Sequence, residues 1–446
     1  MANLILTNQC NLNCSFCFAI ENNYGVTKTT KEEFNVADLW KISGFLKDQT
    51  IRLCGGEPTI NSNIIEIMES LLSNNYRVLL MTNGLWKDSF RKFITKLPAY
   101  AINRISYLFN ILDPGFYSSA QLKNLREVLE IVNPARITLG VTISEGNFEY
   151  RHLINLCEEY SIKSIRISIA APNISGGEYK LENEFYSIAE RLHGFLLECT
   201  ERNINVQKDC NYIPPCFFTN EQLMDIKFCV SGNWNFTCAS SPVDIDVNGN
   251  SWRCFGLFSL LQAKISDFAK EEDLKAYFNR RMRLISKNLL AYEECSDCSY
   301  WQKSCLGGCF TIQIKKIFEQ NPNITIVPID DDREVFNCKP IRNNSVVIRE
   351  DKSGSRVYSN NMVLDNPDEN ISSFLSTIDG KLSLNDLAEI WCENFSNLEE
   401  AKSEVVKMCK MLFERDLVDI VYNYNVSIKK RPRRQNVTNK RTHQTI

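Results

Sequence analysis

Residues 2–17 read ANLILTNQCNLNCSFC, a short apolar run followed at once by Cys10, Cys14 and Cys17 in the spacing C-x3-C-x2-C. The run 2–6 has strand character, so the cysteines sit on a loop at the end of a strand. Three thiolates on one tight loop can hold three irons of a 4Fe–4S cluster and leave the fourth iron without a protein ligand. An open iron is a place for a small molecule to coordinate, which points to chemistry rather than scaffolding. The competing reading is a zinc knuckle, which needs a nearby fourth Cys or His. The next cysteine is Cys54, and the histidines are His152, His193 and His443.

Working outward, short Ile/Val/Leu-rich runs alternate with segments of helical period through the first two hundred residues, as βαβ units do. Strands are expected at 3–7, 50–53, 77–82, 102–110, 136–143 and 164–169, and helices at 61–73, 122–132, 150–160 and 184–200. A closed eight-unit barrel needs about 250 residues, and the pattern changes after Asn203. The fold class expected is therefore α/β, with a partial (β/α)6 barrel whose strands run parallel through right-handed crossovers.

The chain has 446 residues, enough for two or three domains. Its 44% apolar and 24% charged content is that of an ordinary globular protein, and a net charge of −3 gives no reason to expect nucleic acid as a partner. Nothing reaches the length of a membrane span, and no signal-like segment precedes the first strand, so a cytoplasmic location without membrane attachment is expected. Eighteen cysteines in such a chain favour metal ligation over disulfides. Cys157, Cys199, Cys392 and Cys409 fall in helical runs and read as small buried apolar residues.

A second motif, Cys54-Gly55-Gly56-Glu57-Pro58-Thr59, follows the second expected strand, at the carboxyl end of the sheet where α/β sites gather. Its glycines allow close backbone approach and Pro58 stiffens the turn. Together with the cysteine loop, including the aromatic Phe16 before the third cysteine, this pair resembles the radical S-adenosylmethionine (SAM) enzymes. The resemblance implies that Cys10, Cys14 and Cys17 hold a 4Fe–4S cluster whose open iron chelates the amino and carboxylate groups of SAM. It also implies that an electron cleaves SAM to a 5′-deoxyadenosyl radical, and that Gly55, Gly56, Glu57 and Pro58 meet the methionyl amino group. Later strand ends, at Thr82-Asn83-Gly84, Asn110, Ser144-Glu145, Arg166 and Ser168, would meet the rest of SAM. Asn110, Ser144 and Arg166 are retained as candidates.

Ten cysteines lie between Cys210 and Cys338. Cys238 and Cys254 flank an expected hairpin, strands 243–247 and 251–253 around Asn248-Gly249. Cys295-x2-Cys298-x6-Cys305-x3-Cys309 follows, with Gly307-Gly308 inside its last interval and Cys338 at a distance. Residues 210–342 resemble the SPASM domain of radical SAM peptide maturases, which binds two auxiliary 4Fe–4S clusters; the family more often has five residues before the third cysteine of this run. By carry-over, Cys238, Cys254 and Cys309 would hold the first, with Cys216, after Pro214-Pro215, preferred over Cys210 or Cys229 as fourth ligand, or an iron left open. Cys295, Cys298, Cys305 and Cys338 would hold the second. A zinc ribbon on Cys295, Cys298, Cys305 and Cys309 is the alternative. Closing a bond from a substrate radical discards one more electron, which such clusters can accept.

After Cys338-Lys339-Pro340 a hairpin is expected from strands 346–349 and 356–359, then helices at 367–378, 383–395 and 398–415 and a strand at 418–422, a small winged-helix-like unit. A winged helix would suggest DNA, but the helices are rich in Asp and Glu. The element order, with Asp379-Gly380-x-x-Ser383-Leu384 between the first two helices, resembles the RiPP recognition element, a leader-peptide-binding domain akin to the pyrroloquinoline quinone peptide chaperone. Such domains add a leader as a strand to their sheet edge. The tail beyond Asn425 carries seven basic residues and is expected to be disordered.

The domains expected are thus a radical SAM barrel at 1–205, a SPASM domain at 206–342, the recognition element at 343–425 and a basic tail at 426–446. The function these resemblances imply is that of a radical SAM maturase with three 4Fe–4S clusters. It would take a precursor peptide and an electron donor such as flavodoxin or ferredoxin, and form a carbon–carbon or thioether cross-link. Other SPASM chemistry (epimerisation, backbone excision, sulfatase maturation) is the alternative. Epimerisation would need a cysteine that returns a hydrogen atom, for which Cys54 or an unligated mid-chain cysteine is the candidate. From another class, a zinc-binding winged-helix transcription factor remains.

Overall fold

The structure is a computed structural model and describes residues 2–17, 33–172, 174, 179–209, 212–229, 242–258, 260–351, 354–359, 362–365 and 369–434. Seven strands pair in parallel and in sequence order: β1 (Ala2–Ile5), β2 (Thr50–Cys54), β3 (Arg77–Thr82), β4 (Ile105–Asn110), β5 (Ile137–Ile143), β6 (Ser164–Ile169) and β7 (Asn205–Lys208). Six were expected from their apolar runs. β7, with the sequence NVQK, has a single apolar residue and left no such signal.

Alternation along the strands explains how the sheet is covered. Leu4, Leu53, Leu80, Phe109, Leu139 and Ile165 are fully buried and join one continuous core with Leu71, Val128, Leu153 and Phe195 of the crossover helices. The other face carries Asn3, Arg52, Asn110, Thr142, Arg166 and Ser168. That face curls on itself. Arg52 on β2 and Arg166 on β6 sense each other's charge, although a flat sheet would set them about 19 Å apart at ~4.8 Å per strand.

The helices begin where caps place them. Asn35 with Asp38 starts Val36–Ser43, and Ser118 with Gln121 starts Ser119–Ile131, three residues before the apolar period suggested.

The sheet does not end at residue 208. β8 (Val243–Ile245) pairs in parallel with the outer edge of β1, and β9 (Asn250–Trp252) and β10 (Ala263–Lys264) extend it antiparallel to ten strands. The expected hairpin is present, though shorter. Gly249 turns it at φ 73°, and Asp246 accepts the Asn248 and Asn250 amides at 2.9 Å. The part expected to be a separate domain therefore shares the barrel's sheet.

Further on, β12 (Val347–Asp351), β13 (Gly354–Ser359) and β14 (Met362–Asp365) form a three-stranded antiparallel sheet, one strand more than expected. Helices Glu369–Thr377, Leu384–Trp391 and Leu398–Glu414 follow, the second capped by Ser383 as anticipated. The last strand, β15 (Val418–Val421), does not join that sheet. It pairs instead with β11 (Lys339–Arg342), which the sequence did not signal. Charged bonds fix this part to the helix Glu271–Asn288: Arg280 and Arg281 to Glu414 at 2.6 and 2.7 Å, and Arg283 and Lys287 to Asp419 at 2.9 and 2.6 Å. Among the described residues no helix is long and apolar enough to cross a membrane.

Candidate active site and metal centres

The chain leaving β1 keeps pairing with the chain leaving β2 beyond the strands themselves. Leu6 N donates to Cys54 O, Gly56 N to Thr7 O and Glu57 N to Gln9 O, each at 2.8 Å. This close approach is why two glycines stand there. A Cβ on Gly55 would lie 2.4 Å from Thr7 O and one on Gly56 2.1 Å from Gln9 O, and Gly55 has φ 139°. The glycines thus admit the chain's own backbone, which leads directly into Cys10.

Glu57 is buried and its carboxylate is a hub. Oε1 accepts from Thr59 N at 3.1 Å, Thr59 Oγ1 at 2.6 Å and Thr82 Oγ1 at 2.8 Å, while Oε2 accepts from Asn83 N at 2.7 Å. Burial raises its pKa and these four bonds oppose the rise. The side chain ties the ends of β2 and β3 together and is fully engaged in doing so. Among the described residues, the backbone carbonyls of Gly55 and Gly56 in this turn accept no hydrogen bond.

The network continues to the cysteines. Asn83 Nδ2 donates to Asn11 Oδ1 at 2.7 Å and lies 3.9 Å from Cys10 Sγ, Asn11 Nδ2 donates to Leu85 O at 3.1 Å, and Leu12 N points at Cys10 Sγ from 3.4 Å. Cys17 N donates to Cys14 O at 3.1 Å. The three thiols are mutual neighbours: burial first and then Cys17 and Cys10 push the Cys14 thiol up to about 11, and Cys10 is raised likewise. Phe16 packs its ring against the core beneath. Three adjacent thiols with amide donors aimed at sulfur are a donor set that fits a 4Fe–4S cluster. Asn11 was not singled out from the sequence, and Asn83 was seen merely as a strand end; their signal is the pairing across β1 and β3.

The remaining candidates are more dispersed. Cys54 is buried with Ile5 and Trp252, beside Met81, Phe255 and Phe258, and burial drives its thiol far up, so it is a neutral S–H. Pro58 is buried at the start of a single 3-10 turn. Asn110, exposed at the end of β4, lies over Gly140, while Ser144 is exposed just after β5. Arg166 is ion-paired with Asp209. On the same face, Asn3 Nδ2 donates to Asp244 Oδ1 at 2.6 Å, and burial pushes the Asp244 carboxyl up to about 8.

A second group of cysteines assembles between distant loops. Cys216, Cys295, Cys298 and Cys305 stand close together: burial first and then the neighbouring thiols raise Cys295, and raise Cys305 to about 12. The Pro214–Cys216 turn is wedged there: a Cβ on Gly308 would lie 3.2 Å from Pro214, and the Phe217 and Tyr292 rings are 6.0 Å apart. Gly307 N donates to Cys305 Sγ at 3.2 Å. Cys309 faces away, its sulfur 2.8 Å from Thr311 Oγ1, and the turn after Cys254 packs on that same Thr311. Cys238 and Cys210 lie outside the described residues.

This differs from the expected ligand sets in two places. Cys216, expected with Cys254 and Cys309, stands with Cys295, Cys298 and Cys305. Cys338, expected in that group, is instead buried against the C-terminal helices, with Cys409, Glu334 and Asp330 as neighbours and its carbonyl accepting Leu384 N at 2.9 Å. The strand β11 that begins at Lys339 draws it there. Cys229 ends its helix and packs on the core. Among the described residues no three His, Cys, Asp or Glu side chains crowd together as ligands of a single ion do.

Comparison with known proteins follows the same division. Residues 4–137 match the family model of the Radical SAM superfamily, so that part of the chain carries a radical SAM domain. The probable GTP 3',8-cyclase of Methanothermobacter thermautotrophicus is 25% identical over 169 residues, 35% of this chain and 53% of the relative. That of Methanococcus aeolicus is 31% identical over 151 residues, 32% and 48%. The chain thus spans about half the length of these relatives. Among solved structures, Streptococcus suis SuiB bound to its precursor peptide SuiA aligns with a TM-score of 0.49 at 17% identity, over 73% of this chain and 75% of SuiB.

Proposed function

Starting from a radical SAM domain over residues 4–137, we propose that this chain is a radical SAM maturase that cross-links a core residue of a ribosomally made precursor peptide. The observation that carries the reading is the loop of Cys10, Cys14 and Cys17, held by the Gly55–Glu57 turn and the Asn83–Asn11 bridge. A 4Fe–4S cluster bound there supplies the electron that cleaves SAM to the 5′-deoxyadenosyl radical. The chain's own groups do the rest. The carbonyls of Gly55 and Gly56 take the SAM amino group, and Asn110, Ser144 and Arg166 take its remaining polar edges; for Arg166 this means competing with Asp209. Cys54, as a neutral thiol, is the group able to return a hydrogen atom if the outcome is epimerisation instead.

Residues 206–342 hold auxiliary clusters in this reading, one on Cys216, Cys295, Cys298 and Cys305 and one on Cys254, Cys309 and Cys238. Clusters held there would supply an acceptor for the electron released when the cross-link closes, within reach of a flavodoxin- or ferredoxin-like partner. A leader peptide would pair with the sheet β12–β14. β12 and β14 are the edges of that sheet among the described residues, where strand addition takes place, and Val347 and Val363, both opposite Tyr358 in register, are half exposed on its face. The GTP cyclase relatives match too little of either chain to assign a nucleotide substrate.

The test is the full chain, reconstituted without oxygen and given SAM, dithionite and the candidate precursor. The expected result is 5′-deoxyadenosine together with a peptide lighter by two hydrogens, both lost when Cys10, Cys14 and Cys17 are changed to alanine. 5′-Deoxyadenosine with an unaltered peptide would remove the peptide reading, and none at all would remove the radical one.

A further inference from the structure

The basic stretch beyond Asn425, expected without structure, is laid against the auxiliary cysteines. Gln320 exchanges two bonds with the Ser427 backbone, at 2.7 and 2.9 Å. Glu293 N donates to Lys429 O at 3.2 Å and Arg431 N to Glu294 Oε2 at 3.1 Å. Arg434 lies 3.6 Å from Glu190 and over the Tyr186 ring. Every anchor on the core side belongs to an element bordering Cys216 or Cys295. One cation of the strap reaches the Cys216 backbone: Arg431 Nη1 donates to Cys216 O at 2.9 Å, and its guanidinium stands 6.0 Å from the Phe217 ring centre.

We propose that this strap seats Arg431 on Cys216 as a positioning residue that raises the reduction potential of the 4Fe–4S cluster held by Cys216, Cys295, Cys298 and Cys305. Reduction adds one negative charge to such a cluster, and a guanidinium hydrogen-bonded to a ligating residue favours the more negative state. Two other cations of the strap have exposed acids as partners, Lys430 near Glu293 and Arg434 near Glu190. The inference rests on the ligand set given under the proposed function.

The experiment uses full-length protein with Cys10, Cys14 and Cys17 changed to alanine, so that auxiliary clusters alone titrate, followed by electron paramagnetic resonance during reductive titration. The signal absent from C216A identifies the cluster. R431Q should retain its iron and move that midpoint down by about 59 mV, a tenfold change in the reduced-to-oxidised ratio for one electron; R431K, which keeps charge without the planar fork, should fall between. A full iron count with an unmoved midpoint in R431Q overturns the proposal. If R431Q sheds iron, R431K decides by the same midpoint: lowered supports it, unmoved overturns it. C216A with undiminished iron sinks the ligand reading itself, a failure separate from that of Arg431.

Discussion

The thiols of Cys10, Cys14 and Cys17 meet because an eight-residue stretch of chain bends once; those of Cys216, Cys295, Cys298 and Cys305 meet because two loops distant in sequence, 214–217 and 293–309, are packed together. The first site is held by backbone: strand pairing that runs past β1 and β2, two glycines that permit it, and the carboxylate of Glu57 closing the gap to β3. The second is held by side chains and by a strap arriving from residues 425–434. A site made of paired backbone tolerates few substitutions at the pairing and many around it. A site made of loops depends on which loop supplies each thiol, and sequence spacing alone does not say.

That contrast breaks most visibly in iron content. Changing Cys216 to alanine should remove one cluster, about four irons of about twelve, whereas Cys338→Ala should leave the count unchanged and cost stability through its buried contact with Cys409. Iron lost from C338A and kept by C216A would restore the ligand set expected from spacing and end the comparison.

The backbone half of the contrast is sharpened by two glycines. Gly56→Ala forces a methyl to 2.1 Å from Gln9 O and should destabilise the protein by about 1–3 kcal/mol or more, read as a lower midpoint in thermal melting. Gly44→Ala, where nothing lies within 4 Å and the backbone is right-handed helical, should be neutral or stabilising by about 0.4–1 kcal/mol. Equal effects would mean that the 55–56 turn is not pinned as described.

A pH-dependent effect is expected from Asp244. Its carboxyl titrates near 8 in the fold, against about 3.9 in an unfolded chain. The folded state therefore holds a proton that the unfolded state releases, and the stability this gives below about pH 4 is lost as pH rises through 8. Asp244→Asn keeps an acceptor for Asn3 and should flatten the fall in melting temperature between about pH 5 and pH 8. An unaltered slope would place the titrating group elsewhere.

The parts legible in the sequence are those whose cause is local. Ile, Val and Leu runs gave six strands because burial against helices demands apolar residues at alternate positions, and Asn248-Gly249 gave the hairpin because a left-handed turn needs glycine. The parts that were hidden have causes far along the chain. β7 and β11 have few apolar residues and exist because β6 and β15 offer them an edge. Asn83 and Asn11 bond across 72 positions, and Cys216 was drawn to its partners by the packing of Pro214 and Phe217. Even the basic tail followed this rule, since its order comes from Glu293, Glu294 and Gln320 rather than from any period of its own.

The pairing of β8 with β1 carries a consequence for biosynthesis. β1 leaves the ribosome well ahead of the strand that covers its far side, since the Asn3–Asp244 contact closes across 241 positions. At ~5–20 residues per second that edge stays open for roughly 10–50 s, with unpaired amides beside the loop that presents Cys10, Cys14 and Cys17. Iron delivered during that interval meets a half-built sheet, and an open edge is a template for pairing with another chain. Crowded nascent chains should therefore yield aggregates rather than cluster-free monomers, and lowering the expression level should help this protein more than adding iron.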